Sequence, residues 1–351
     1  MADADATSEL AERMRSARAR HQPLAIAGGG TKAFFGRMLR GEPLSTTAHR
    51  GIVTYDPAEL VVTVRAGTPL VELESVLAEQ GQCLPFEPPH YGPQATVGGM
   101  VAAGLAGPAR ATAGAVRDYV LGVRLLTGDA RVLRFGGEVI KNVAGYDVSR
   151  LLAGSLGILG VLLEISLKVL PRRPAATTRA LEVPPAAALE YTTRLARSAV
   201  PLTASCWIDD RLYLRLEASE AALAGLERQV GGERIDDGTA FWHSIREQTH
   251  PFFTGATTVV RAHLPASAPP LDRPQCIEWH GMQRWYTDLA PATLATERQD
   301  DRAQLTAFRG AGDDRDVFAP LPGPLMQLHR ELKRVFDPDG IMNPGRMYPE
   351  L

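Results

Sequence analysis

Cysteine is scarce in this chain: three residues in 351, Cys83, Cys206 and Cys276, with no C-x-x-C pair among them. That argues against an iron–sulfur cluster, a cysteine-based zinc site and a disulfide framework, and leaves three small buried apolar side chains. Long apolar runs are missing too. The longest, Val97–Ala106 and Gly157–Leu163, fall well short of the roughly 18 residues a membrane helix needs, and Glu164 ends the second. The first twenty residues carry no apolar signal core. The expectation is a soluble, cytoplasmic chain that meets the inner membrane only through a partner. There is no surplus of positive charge, with 38 Lys+Arg against 40 Asp+Glu. Nucleic acid is therefore not an expected partner.

Glycine is abundant and unevenly placed. Of 33 glycines, 22 fall within residues 1–160. Glycine is required where backbone takes positive φ or comes unusually close to something, so the first half reads as backbone built to touch a ligand. The 45% hydrophobic content supports a packed globular fold, and the length suits two domains.

Local patterns divide the chain near Pro171. A short helix suits residues 8–20, and a strand over 23–27 runs into Gly28-Gly29-Gly30-Thr31-Lys32. A strand is expected over 59–66. Thr68 is then placed to cap a helix with Pro69 at its first position, Leu70, Leu73, Val76 and Leu77 on one face, and Gly81 at its end. Residues 120–126 and 131–135 flank a hairpin turn. Strict alternation over 161–169 predicts a long half-buried strand. Pro171-Arg172-Arg173-Pro174 reads as a linker, beyond which all four tryptophans lie. Strands are expected there at 178–183, 205–209, 212–216 and 257–264, with helices at 186–198, 220–230 and 324–336. These make an α+β unit.

Three segments carry chemistry. Gly28 to Ala33 formally matches G-x-G-x-x-A, the Rossmann fingerprint. The following residues, interrupted by Gly36, Gly41 and Pro43, support no long helix, so a loop whose N–H groups cradle a pyrophosphate in another geometry is the better reading. Between Ala95 and Gly104 nearly every side chain is small, which suits either backbone lying against a flat ring or a tightly packed helix. The third runs from Lys141-Asn142 through Gly145-Tyr146-Asp147 to glycines at 154, 157 and 160.

In that order, and with Asn343-Pro344-Gly345 near the end, these segments resemble the FAD-binding proteins of the p-cresol methylhydroxylase/vanillyl-alcohol oxidase (PCMH/VAO) type. Within that superfamily the chain is similar to the FAD-binding subunits of three-subunit glycolate oxidases, the GlcE type. Phe241-Trp242, Pro251-Phe252-Phe253 and Asn343 to Tyr348 belong to the same likeness. The resemblance implies an α+β fold: a two-subdomain PCMH/VAO-type FAD-binding domain over 1–171, a reduced α+β cap over 172–335, and a tail over 336–351 returning to the flavin. It implies that Gly28, Gly29, Gly30, Thr31 and Lys32 wrap the pyrophosphate, and that Thr96, Val97, Gly98, Gly99 and Ala102 line pyrophosphate and flavin. Gly157, Gly160 and the Val161 backbone hold the adenosine end, near Lys141, Asn142 and Asp147, and Asn343 approaches the isoalloxazine. Where covalent relatives carry a histidine in or after the glycine loop, this chain has Thr31 and Lys32, which implies non-covalent FAD.

The likeness further implies oxidation of glycolate to glyoxylate in a complex with a second FAD subunit (GlcD type) and an iron–sulfur subunit (GlcF type), which would hold the clusters this chain cannot. Oxidising a 2-hydroxy acid needs a cation for the carboxylate and a base for the hydroxyl proton. His243 and His250 are seven apart, the spacing of a metal-binding histidine pair in catalytic relatives, but the Asp-Gly-Asn of that motif is missing between them. No metal is expected, and His243, Arg246 and His250 stand as weak catalytic candidates. Arg261, His263, His280 and Arg284 are further ones. Two other readings remain open at this point: a free-standing oxidase of another alcohol or hydroxy acid, and a non-catalytic structural subunit.

Overall fold

The computed structural model describes residues 3–137, 147–298, 302–310 and 316–351. Two antiparallel sheets dominate it. The first has five strands in the order Ile52–Asp56, Val61–Arg65, Val161–Lys168, Val120–Leu126, Val132–Gly136. Strand Val161–Lys168 lies at the centre, between Val61–Arg65 and Val120–Leu126. The alternation over 161–169 predicts one solvated face. Instead six of its eight residues are buried, because both faces of the sheet are covered. Its polar positions are absorbed by partners: Glu164 accepts from Arg124 at 2.5 Å, and the Ser166 and Thr63 hydroxyls bond at 2.8 Å.

The helix predicted after Thr68 forms over Leu70–Glu79, with Leu70, Leu73 and Leu77 buried. Its cap differs from expectation. Pro69 occupies the cap position, and the buried Thr68 hydroxyl bonds the Gly51 backbone instead, accepting its N–H at 2.9 Å.

A parallel strand pair, Leu24–Ala27 with Glu42–Ser45, precedes the five-stranded sheet. The carboxyl-terminal tail extends it: Leu24 bridges Met342, and the Asn343 N–H donates to the Leu24 carbonyl. Helix Gly323–Phe336, grouped by sequence with the second part, packs on the first. Lys333 is buried at its end and donates to the Ile158 carbonyl, the Met342 carbonyl and the Asp337 carboxylate, at 2.9, 2.6 and 2.7 Å. Asp337 in turn accepts the N–H groups of Ile341 and Met342. This fully satisfied buried ion pair fixes the tail against the loop before the central strand.

The second sheet has eight antiparallel strands, in the order Glu233–Arg234, Ala175–Glu182, Arg211–Ala218, Leu202–Ile208, Cys276–Glu278, Gln283–Thr287, Val259–His263, Gln304–Arg309. Helices Pro185–Ala196 and Glu220–Val230 accompany it. Its inner face meets the first part through one apolar cluster. Ala204, Cys206, Phe253, Trp285 and Phe308 pack there with Phe35, Ala103, Leu105 and Leu156. The expected linker is short: Leu170–Pro171 pairs with Gln82–Cys83, and the next strand starts at Ala175.

Candidate cofactor site

A cleft opens where the loop after Leu24–Ala27, the helix Val97–Ala103, the loop before Val161 and the tail converge. Twelve of the residues predicted from sequence line it: Gly28, Gly29, Gly30, Thr31, Lys32, Thr96, Gly98, Gly99, Ala102, Gly157, Gly160 and Asn343. Val97 and Val161 are adjacent in the chain, but their side chains are buried in the core. Asp147 stands exposed, capping a short helix by accepting the Arg150 N–H and pairing with the Arg150 side chain. Lys141 and Asn142 lie outside the described residues.

The chemistry of the cleft is that of backbone. Among the described residues, none of the N–H groups of Gly28, Gly29, Gly30, Thr31 and Lys32 meets a protein acceptor. Consecutive N–H groups left free in a turn form a site for an anion, because they supply partial positive charge without a charged side chain. Gly30 has φ +72°, and a Cβ placed on it would stand in open space. The other glycines have a different reason from the one the sequence suggests. A Cβ on Gly29 would run into the Gln94 carbonyl, and one on Gly28 into the Thr96 hydroxyl. On Gly98 it would lie 2.6 Å from the Ala66 Cβ, and on Gly160, 2.6 Å from Leu125. These glycines let protein segments approach one another, and that close packing forms the wall of the cleft.

The small-residue segment Ala95–Gly104 resolves as a helix, Val97–Ala103, and it also lines the cleft. The Thr96 hydroxyl caps it by accepting the Gly99 N–H at 3.2 Å, and Gly104, in left-handed conformation, ends it.

Side chains around the cleft mostly hold its frame. Asn343 accepts the Ile26 N–H at 2.6 Å and donates to the Leu156 and Ile26 carbonyls at 2.8 and 3.2 Å. Its amide is committed to joining strand, loop and tail. Arg346, in the closing Asn-Pro-Gly-Arg motif, is buried at 4% exposure. It donates to the carbonyls of Phe35 at 2.5 Å, Ala33 at 3.1 Å and Arg37, pinning the turn after the glycine loop. Burial lowers its pKa to about 10, so it stays charged. Ser155 and Thr46 also line the cleft and went unremarked in sequence. The Gly-Ser-x-Gly run held the signal for Ser155; for Thr46, just past the strand Glu42–Ser45, there was none. Thr31 and Lys32 both point at the His90 carbonyl, at 2.7 and 3.2 Å. Burial pulls the Lys32 ammonium down to about 8, opposed by the Glu247 carboxylate.

The weak catalytic candidates lie elsewhere. His243 and Arg246 line a second, polar cleft with Glu87, Arg215 and Glu217. Arg246 holds Glu247 at 2.8 Å, whose carboxylate accepts the His90 and Tyr91 N–H groups. His250 accepts the Phe252 N–H. Among the described residues no group of His, Cys, Asp or Glu is arranged to hold a metal. Arg284 faces away and donates to the Pro269 and Ala268 carbonyls. His280 donates its backbone N–H to the Ser205 hydroxyl. No described helix is long and apolar enough to cross a membrane.

A sheet-based fold with a glycine-walled cleft of free N–H groups suits a bound dinucleotide, and comparisons with known proteins give the class, an FAD-linked oxidoreductase. Residues 2–136 match the FAD binding domain family, and residues 321–347 match the C-terminal domain of FAD linked oxidases. The fold is similar to that of alkyldihydroxyacetonephosphate synthase, with TM-score 0.68 at 14% identity over 96% of this chain and 75% of that one. A D-lactate dehydrogenase of Archaeoglobus fulgidus is 29% identical over 65% of this chain and 49% of its own length. The glycolate oxidase subunit GlcE of Escherichia coli (strain K12) is 46% identical over 99% of both chains. This chain belongs to the GlcE family of FAD-linked oxidoreductase subunits.

Proposed function

We propose that this chain is the FAD-carrying subunit of an assembly that oxidises glycolate to glyoxylate. The observation that carries the reading is its likeness to a glycolate oxidase subunit along essentially the whole of both chains. The partners are a second FAD subunit of the GlcD type and an iron–sulfur subunit of the GlcF type. With three isolated cysteines, this chain relies on a partner for any cluster. Contact with a membrane is made through the partners.

FAD, when bound, supplies a two-electron acceptor. The chain's part is to hold it. The N–H groups of residues 28–32 take the pyrophosphate, helped by Lys32, while Gly98, Gly99 and Ala102 present a small-residue wall to a flat ring and Gly157 and Gly160 bound the loop opposite. On this reading the FAD is non-covalent, because Thr31 and Lys32 stand where covalent relatives carry a histidine. Acid precipitation of the purified chain is expected to release about one flavin per chain into the supernatant. Flavin that stays in the pellet would show a covalent bond.

The assembly is tested by co-purifying the three subunits and following glycolate-dependent dye reduction. Activity of the complex that is lost on omitting this chain is the expected result. Full activity from this chain alone would favour the free-standing oxidase, and unchanged activity of the complex without it would favour a structural subunit.

A further inference from the structure

Tyr91, Arg261 and Arg309 form a cationic nook on the inner face of the eight-stranded sheet, beside the cleft. Arg261 projects from strand Val259–His263 with its guanidinium over the rings of Phe308 and Phe35, at 5.2 and 5.4 Å. It forms no ion pair with a carboxylate among the described residues, and its Nε is buried without a hydrogen bond. Arg309, on the neighbouring strand, donates from one Nη to the Phe253 carbonyl at 3.5 Å and keeps a buried Nε with no partner. Tyr91 lies against Phe34 and Phe308, at 5.2 and 6.3 Å, within the electrostatic reach of both guanidinium groups. Its hydroxyl meets no described acceptor or donor, and burial raises its pKa, keeping it a neutral donor. Lys32, which lines the cleft, has its Nζ 5.9 Å from the Tyr91 ring, so nook and cleft are neighbours.

The acids in reach are already engaged. Glu247 accepts from His90, Tyr91 and Arg246, and Glu278 accepts from Trp285 and Gln283 at 2.5 and 3.2 Å. His263, two residues along the strand, stacks on Trp279 and is held neutral by burial, at about 3. A guanidinium taken out of water is costly unless a negative group completes its hydrogen bonds. The Arg261 guanidinium and the Tyr91 hydroxyl, walled by Phe34, Phe35 and Phe308, lack that negative group.

We infer that Arg261, Arg309 and Tyr91 form a binding site for a small carboxylate, with the Arg261 fork gripping its two oxygens and the Tyr91 hydroxyl donating a further hydrogen bond. The inference rests on the reading of this chain as a subunit acting on a hydroxy acid. It adds that the carboxylate is bound by this chain itself.

The test is calorimetric titration of the flavin-loaded chain with oxalate, which offers carboxylates and no oxidisable carbon, and with uncharged ethylene glycol as control. Oxalate is expected to bind at one per chain and ethylene glycol not at all. Arg261→Met should weaken oxalate at least about tenfold and Tyr91→Phe about threefold, with flavin content unchanged in both. Arg261→Lys, which keeps charge without the fork, should fall between wild type and Arg261→Met, and serves if the Met variant fails to fold. Wild-type affinity in Arg261→Met or Arg261→Lys, or no oxalate binding by the flavin-loaded wild type, would overturn the assignment. A chain that takes up no flavin would instead defeat the FAD reading, and its own oxalate titration would still report on Arg261.

Discussion

The cleft and the cap-side nook sit next to each other and are built from opposite materials. The cleft is backbone: free N–H groups of residues 28–32, and glycines whose missing side chains let segments 28–29, 94–96, 66 and 98 close on one another. The nook is side chain: two guanidinium groups and a phenol set among aromatic rings. A backbone site tolerates a neutral overall charge, because partial charges on N–H groups do the work of cations. It has no tolerance for added bulk at its seams. A side-chain site tolerates changes of bulk nearby and depends on one or two charges.

The largest expected effect tests the seams. Gly29→Val sets a branched side chain against the Gln94 carbonyl and should abolish flavin uptake while destabilising the chain by on the order of 4 kcal/mol, read as flavin content and as the thermal midpoint. Retained flavin with an unchanged midpoint would break the contrast. On the cap side, Phe308→Ala removes a fully buried ring that touches Phe34, Phe35 and Trp285. It should cost about 3 kcal/mol of stability and leave flavin stoichiometry near one, separating packing from cofactor binding.

Gly30→Ala sharpens the point at a glycine with no protein neighbour. Its Cβ stands in open space at φ +72°, so the cost in the free chain is about 1 kcal/mol of backbone strain, whereas FAD affinity should fall about tenfold in a direct titration. The smallest effect is pH-dependent. Burial sets Lys32 at about 8, below its ordinary 10.5. The unfolded chain therefore holds this proton more tightly than the folded one, and the apo chain should gain a little stability as pH rises from about 8 towards 10.5. Binding of a dianion favours the charged form, so FAD affinity should fall over the same range. Lys32→Met should flatten both trends; a wild-type affinity that rises above pH 8 would rule out Lys32 as a pyrophosphate partner.

The two regions were unequally legible in sequence for the same reason that they differ. Backbone sites leave compact signatures: Gly28 to Lys32, Ala95 to Gly104 and the glycines at 154, 157 and 160 are runs, and the structure gathers twelve of the residues predicted there and at Asn343 around one cleft. Why each glycine was needed was not legible. Gly29 and Gly98 answer to Gln94 and Ala66, neighbours made by tertiary packing. Likewise the alternation over Val161–Val169 could not reveal that both faces of its sheet are covered. Asn343 and Arg346 were visible as a motif, but their work of tying Ile26, Leu156, Ala33 and Phe35 together depends on a tail more than 300 residues from the loop it holds. The nook left least trace. Tyr91, Arg261 and Arg309 are single residues on separate elements, joined only by strand pairing and by a shared Phe308 wall.

The central claim is that backbone N–H groups of residues 28–32 hold the pyrophosphate of FAD. It is tested most directly by titrating the apo chain with FAD and with riboflavin, which has the same ring and no phosphate. The account predicts FAD binding at least roughly 100-fold tighter than riboflavin, the worth of two or more charge-assisted hydrogen bonds. Equal affinity for the two would contradict it.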